Sequence, residues 1–254
     1  LKEAERAVSQ DSVFYRRVRV VRDCFSQMKQ ASDNFLLQTK FPLKEVVCPS
    51  LPEGLISFDG LIGEEEWKKA GRTGLFVNSV TGEAGSVPTE VFLMRDGENL
   101  YLGWKAGLRK GQEVRAERDL SSQPVWWDDN LEAFFYGDTT WYQFIVTSKG
   151  ILWEAKNGDA SWESQGRVKT FVGEDFWSGE LVIPIESLQG LLKPVPYANI
   201  VWRANFGRVY YDHPGDKPPS PGKKTDWKEE LQMWNPVFEP AFNTPARAGI
   251  IRFP

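Results

Sequence analysis

Apolar and polar positions follow two different periods along this chain, and the change falls near residue 50. Phe14, Val18, Val21, Phe25, Met28 and Phe35 recur at spacings of three and four, interrupted by polar Ser32. That spacing draws one apolar stripe along a helix. Asp11 and Ser12 stand just before the stripe and offer N-cap oxygens. An earlier set, Leu1, Ala4 and Val8, reads as the tail of another helix. Residues 1–40 are therefore predicted as a pair of α-helices. Two helices alone cannot bury such stripes, which implies an upstream helical domain of the same polypeptide or docking onto the next domain. Pro42, Pro49, Pro52 and Gly54 predict a linker over 41–55.

From about residue 56 the period is two. Runs at 89–95 and 99–106 flank Asp96-Gly97-Glu98, a strong hairpin signal. Further strand-type runs cover 131–136, 141–147, 150–155, 167–172, 179–185, 200–210 and 248–253. Many short strands, Gly/Asp/Asn turns and no long helix predict a mainly β domain over 56–254. The expected form is an antiparallel β-sandwich of immunoglobulin or jelly-roll type. Residues 212–230 hold Pro214, Pro218, Pro219, Pro221, Gly222 and a charged run, and are predicted as a long loop.

Composition narrows the function classes. The chain has 254 residues, 41% of them hydrophobic and 26% charged, which is ordinary globular composition. A net charge of −4 gives no electrostatic footprint for nucleic acid. No apolar run approaches the roughly 20 residues of a membrane span. The chain starts at Leu1 with no visible signal peptide and reads as a processed or cut piece. For Cys24 and Cys48, a disulfide and two free thiols both stay open. The single histidine, His213, excludes a multi-His metal site and weighs against His-based nucleophilic catalysis. No Asp-rich loop has the spacing of a dedicated calcium site, and no cofactor is predicted.

The chain has 11 tryptophans, more than a core of this size needs. Indole rings gather in cores, interfaces and ligand platforms, and core is the default for most of them. One cluster differs: Val125-Trp126-Trp127-Asp128-Asp129-Asn130-Leu131-Glu132-Ala133-Phe134-Phe135. On its strand, Glu132, Phe134 and Tyr136 share one face, and Leu131, Ala133 and Phe135 share the other. Alternation also sends Trp126 and Trp127 opposite ways, so Trp127 is expected in the core. A carboxylate among aromatic rings suits a sugar, whose C–H face stacks on indole and whose hydroxyls donate to carboxylate. The plainer alternative makes one Trp a core residue and the acids turn formers.

Four segments, in order, resemble the family 9 carbohydrate-binding modules and their relatives. Phe58-Asp59-Gly60 with Glu66-Trp67-Lys68-Lys69-Ala70 is similar to their opening signature, and residues 90–103 to their first hairpin. The Trp126 cluster is the third segment, and Phe242-Asn243-Thr244-Pro245-Ala246-Arg247-Ala248-Gly249 is close to their C-terminal motif. Trp202-Arg203-Ala204-Asn205-Phe206 and Leu181-Val182-Ile183-Pro184 are also similar. The resemblance implies a terminal sugar held between two rings. Trp126 matches the first ring, Glu132 the gripping carboxylate, and Phe242 the second ring, where Trp is usual. Asn205 lies on the family's Asn-bearing strand. Two grips depart: Gln143-Phe144-Ile145 lacks the family's Arg, and its Gln falls near Gly207 or Arg208. Arg208 and Trp234 are the candidate replacements.

The resemblance further implies a non-catalytic module of a larger secreted bacterial glycan-degrading protein, outside the cell, at its surface or in the periplasm. Its partner would be an oligosaccharide or polysaccharide. Related modules often hold calcium, so that ion stays open. The helical start, with Glu3-Ala4-Glu5 and Phe14-Tyr15-Arg16-Arg17-Val18-Arg19, is similar to the helical region that precedes such modules in large glycoside-hydrolase-like proteins. Three rival readings remain. One is a structural accessory sandwich that has lost its ligand, favoured by Ile145 and Gly207. A second is a glycosidase, which needs two carboxylates about 5–10 Å apart, from Asp128, Asp129 and Glu132. The third is a haem-binding relative, with axial ligands from His213 and Met94 or Met233.

Overall fold

The computed structural model describes residues 13–52, 57–119, 124–191, 200–212 and 228–254. The chain divides into two compact units, residues 1–42 and 43–254. In the first, the described part is one helix, α1 (Val13–Lys40). The second helix expected before it lies outside the described residues. Within the predicted stripe Val21, Phe25 and Met28 are exposed, and the side chains of Phe14 and Phe35 are outside the described ones.

The second unit is a β-sandwich. In chain order its strands are β1 (Glu45–Val47), β2 (Gly71–Arg72), β3 (Val77–Asn78), β4 (Thr89–Arg95), β5 (Asn99–Gly107), β6 (Asn130–Tyr136) and β7 (Trp141–Thr147). Next come β8 (Leu152–Lys156), β9 (Arg167–Val172), β10 (Phe176–Pro184), β11 (Ile200–Asp212), β12 (Lys228–Met233) and β13 (Gly249–Phe253). One sheet runs β1-β13-β11-β6-β7-β8, with β12 and β3 joined beside β11; the other runs β2-β4-β5-β10-β9. Every pairing is antiparallel except β1 with β13. The inner faces meet in a core built on Trp104, Trp177, Phe135, Phe144, Phe206 and Trp234.

The stretch expected as a linker is partly strand. β1 lies within residues 41–55, and Val46 and Cys48 enter the core. Three residues show too little alternation for the period to reveal them. Cys24 is exposed, Cys48 is buried, and both are free thiols. Of the predicted loop 212–230, residues 213–227 lie outside the described residues, and 228–230 begin β12.

The opening motif serves the fold. Glu180 on β10 accepts the backbone N–H groups of Asp59 (2.8 Å) and Gly60 (2.7 Å) on Oε2. Its Oε1 accepts the indole N–H of Trp67 at 3.2 Å. Gly60 has φ +88°, and a Cβ there would sit 2.7 Å from the Thr170 backbone. Only glycine fits both demands. The 57–70 segment is thereby pinned to the outer face of the five-stranded sheet, where Trp67 packs edge-on to Phe92.

Candidate functional site

The site is built on the outer face of the larger sheet. On β6, Leu131, Ala133 and Phe135 enter the core, while Phe134 and Tyr136 join a separate apolar cluster on the opposite face. Register extends the outer face across the strands. Met233 pairs with Gly207, Gly207 with Glu132, Glu132 with Ile145, and Ile145 with Trp153. Glu132 therefore stands mid-row, with a strand on either side at about 4.8 Å spacing.

Above this row lies a cavity of about 410 Å³, and Trp126, Trp127, Glu132, Gln143 and Phe242 are among its lining residues. Trp126 is 42% exposed and Trp127 48% exposed. The expectation that Trp127 turns into the core is corrected. Val125–Trp127 form a 3₁₀ turn, not a strand, and Val125 takes the buried position. A turn of three residues fans its side chains out at roughly 120° steps, so both indoles emerge. Trp126 rests edge-on to Trp153, with centroids 6.1 Å apart. The Arg118 guanidinium lies 5.2 Å from the Trp127 ring centroid.

Glu132 is almost fully buried and accepts one hydrogen bond, from Gln143 Nε2 to Oε2 at 3.0 Å. Burial raises its pKa to about 7, and the Gln143 bond works the other way. Gln143 stands within the segment that departs from the family pattern, and here it orients the carboxyl. Phe242 packs over Gly207: a Cβ at 207 would meet its ring at 3.0 Å. The loop that carries Phe242 is tied down by Tyr136, whose hydroxyl donates to Asn243 Oδ1 at 3.2 Å.

Three other candidates lie away from this cavity. Arg208 points into the sandwich, because alternation along β11 puts it on the face of Phe206 and Tyr210. Its guanidinium donates to Gly107 O (2.8 Å) and Thr89 Oγ1 (3.0 Å) and pairs with Asp129 at 3.4 Å. Trp234 is fully buried against Phe206, with ring centroids 5.6 Å apart. Asn205 donates to Asn235 O (2.9 Å) and accepts from Asn235 N (3.0 Å). Arg208 and Trp234 point into the sandwich, and Asn205, on the outer side of β11, is fully buried against Asn235; none of the three lines the cavity.

The acids after the indoles tie down the 115–118 segment through its backbone. Asp128 Oδ2 accepts the Arg118 N–H at 2.7 Å, and Asp129 Oδ2 the Arg115 N–H at 3.2 Å. Burial raises Asp129 to about 6 in spite of Arg208. Neither carboxylate is among the residues that line Glu132's cavity. Glu229 also lines the cavity, but it is exposed and accepts a hydrogen bond from Tyr211. For the haem reading, Met94 and Met233 lie in separate apolar clusters, and His213 is outside the described residues. Among the described residues no three His, Cys, Asp or Glu side chains converge as a metal site, and no helix is long and apolar enough to cross a membrane.

The fold is that of the family 9 carbohydrate-binding modules. A candidate carbohydrate-binding protein from Bacteroides uniformis is similar over 84% of this chain and 100% of its own, with a TM-score of 0.56 and 18% identity. A family 9 module from Caldicellulosiruptor kristjanssonii in complex with cellotriose is similar over 83% of this chain and 93% of its own. The TM-score there is 0.53 and the identity 14%. The module in complex with glucose matches to the same degree, over 96% of its own length. No protein-family model and no curated protein sequence matches the chain.

Proposed function

We propose that this chain carries a non-catalytic carbohydrate-binding module of a larger secreted glycan-degrading protein, and that a sugar docks in the cavity over Glu132. The observation that carries this reading is the convergence on one face of exposed Trp126 and Trp127, buried Glu132 with Gln143, and Phe242. Indole offers an apolar platform for the C–H face of a pyranose. The carboxyl and amide accept and donate to hydroxyls at its rim. Sugar hydroxyls stay well hydrated in water, so affinity rests on ring stacking plus a few strong polar bonds. Phe242 packs over Gly207 and lines the same cavity as the two tryptophans, which supports a sugar held among the three rings. Structural neighbours that hold glucose and cellotriose support the ligand class. Calorimetric titration of the chain with glucose and cellotriose tests the reading: saturable binding is expected, weakened by Trp126→Ala. Absence of binding to both, and to a glycan array, would return the chain to the structural accessory reading.

A further inference from the structure

Glu132 is a buried carboxyl without a counter-charge beside it. Its direct cross-strand partners are Gly207 on β11 and Ile145 on β7. The diagonal places on the same face hold Asn205 and Val209 on β11, and Gln143 and Thr147 on β7. A sheet balances a carboxylate with an opposite charge at places such as these, and here every one of them is neutral. Arg203 follows Asn205 on this face of β11, but it stands level with Tyr136 and donates to Pro245 O at 2.6 Å. That level is about 13 Å along the sheet from Glu132. The Gln143 amide is a neutral donor. Burial without a cation pushes the Glu132 carboxyl up to about 7.

The cavity over Glu132 repeats the sign. Glu229 on β12 also lines it, and no Lys or Arg is among its lining residues. Arg118 stacks on the Trp127 ring but is not one of them. Trp126, Trp127 and Phe242 add ring faces, which attract cations. Two carboxylates, three rings and no cation complement a positive ligand and repel a negative one. A metal ion would draw on several converging oxygen ligands. Among the described residues no three His, Cys, Asp or Glu side chains converge in that way. An organic ammonium uses what the cavity offers, a carboxylate to accept its N–H groups and rings to face its charge.

We propose that the sugar taken by this cavity is a cationic amino sugar, whose ammonium pairs with Glu132. The inference rests on the sugar-binding reading above and narrows its ligand class. Glu229 adds to the negative field. A uronic acid is repelled by the same charges, and N-acetylation removes the charge that they select. Pairing also moves a proton. At a pH where Glu132 is protonated in the unliganded chain, the arriving ammonium favours the ionised form. The carboxyl O–H bond then breaks, the proton passes to buffer, and carboxylate and ammonium remain as an ion pair.

The test titrates the whole chain with glucosamine, glucose, N-acetylglucosamine and glucuronate by calorimetry. It is run at about pH 6, where an amine of the α-amino range is charged. Glucosamine should bind about tenfold more tightly than glucose, the scale of one hydrogen bond to a charged group. N-acetylglucosamine should bind no better than glucose, and glucuronate should be the weakest. Buffers of different ionisation enthalpy should report proton release with glucosamine. Glu132→Gln keeps the side-chain shape; it should bring the glucosamine-to-glucose ratio near one and abolish the release. Glucosamine binding no tighter than glucose, or a preference that survives in Glu132→Gln, would overturn the inference while the sugar-binding reading stands. Should that variant not fold, the parent decides: a preference shared by N-acetylglucosamine, or one without proton release, overturns it equally. A parent chain that binds none of the four sugars would remove both.

Discussion

The ring of Phe242 lies over the space that a side chain at Gly207 would need, so a Cβ at 207 would meet it at 3.0 Å. Gly207 is also the direct cross-strand partner of Glu132. The bare backbone at 207 thus lets one wall of the cavity settle beside the buried carboxyl. Gly207→Ala should displace the ring by a few tenths of an ångström. Overpacking of this kind costs about 1–3 kcal/mol, and the low end is expected for one methyl. Denaturant unfolding measures that loss. Glucose affinity should fall with it; unchanged stability and affinity would show that Phe242 has room to retreat.

Trp126 and Trp127 line the same cavity. Truncating either to alanine should weaken sugar binding by about 1–3 kcal/mol, by analogy with base stacking on aromatic rings. Stability should change little, because both rings are exposed. Calorimetry on each variant decides. A large fall in melting temperature for Trp127→Ala with unaltered binding would give that ring a structural role.

Glu132 should make stability depend on pH. Its pKa rises from 4.5 to about 7 in the fold, chiefly through burial. A raised carboxyl pKa means the folded chain holds the proton more tightly than the unfolded chain. The stabilisation is complete below pH 4.5 and is lost as pH rises through 7. The shift corresponds to about 3 kcal/mol over that window. Asp129, raised to about 6, adds a slope of the same sign. Glu132→Gln should remove its own share, seen as a flatter curve of unfolding free energy against pH. Glucose affinity in the parent should rise with pH through 7, as ionisation strengthens the hydroxyl bonds, and should be flat in the variant. An identical pH profile in parent and variant would contradict this.

Arg208 should behave as a fold residue. Its guanidinium joins Gly107, Thr89 and Asp129, all inside the sandwich. Arg208→Ala leaves Asp129 buried without its partner, which costs about 3–5 kcal/mol. Urea melts should show that loss. A stable Arg208→Ala chain that had lost only sugar binding would restore Arg208 to the ligand site.

Most of the sandwich was legible in the sequence because its long strands alternate. Runs at 89–95, 141–147 and 167–172 match β4, β7 and β9. β1, β2 and β3 were not legible, since two or three residues carry no period. Strand alternation gives the wrong side for Trp127 because Val125–Trp127 is a 3₁₀ turn. That Arg208 and Trp234 are buried inside the sandwich is hidden in the sequence for another reason. A long cation and an indole both look like ligand residues until register shows which way they point. The place of Trp153 beside Trp126 is not legible in the sequence, because only the pairing of β7 with β8 sets it next to Ile145.

β11 pairs with β13 over its first half and β12 over its second, with β6 along its other edge. Three neighbours thus read their alignment from one ribbon. A slip of one residue would turn Phe206 and Arg208 outward and Asn205 and Gly207 into the core, inverting core and cavity floor together. The floor is therefore tied to foldability, and change there is tolerated poorly. The indole turn at 125–127 and the arm around Phe242 lie outside these ladders, so substitutions there reshape the cavity walls without shifting its floor.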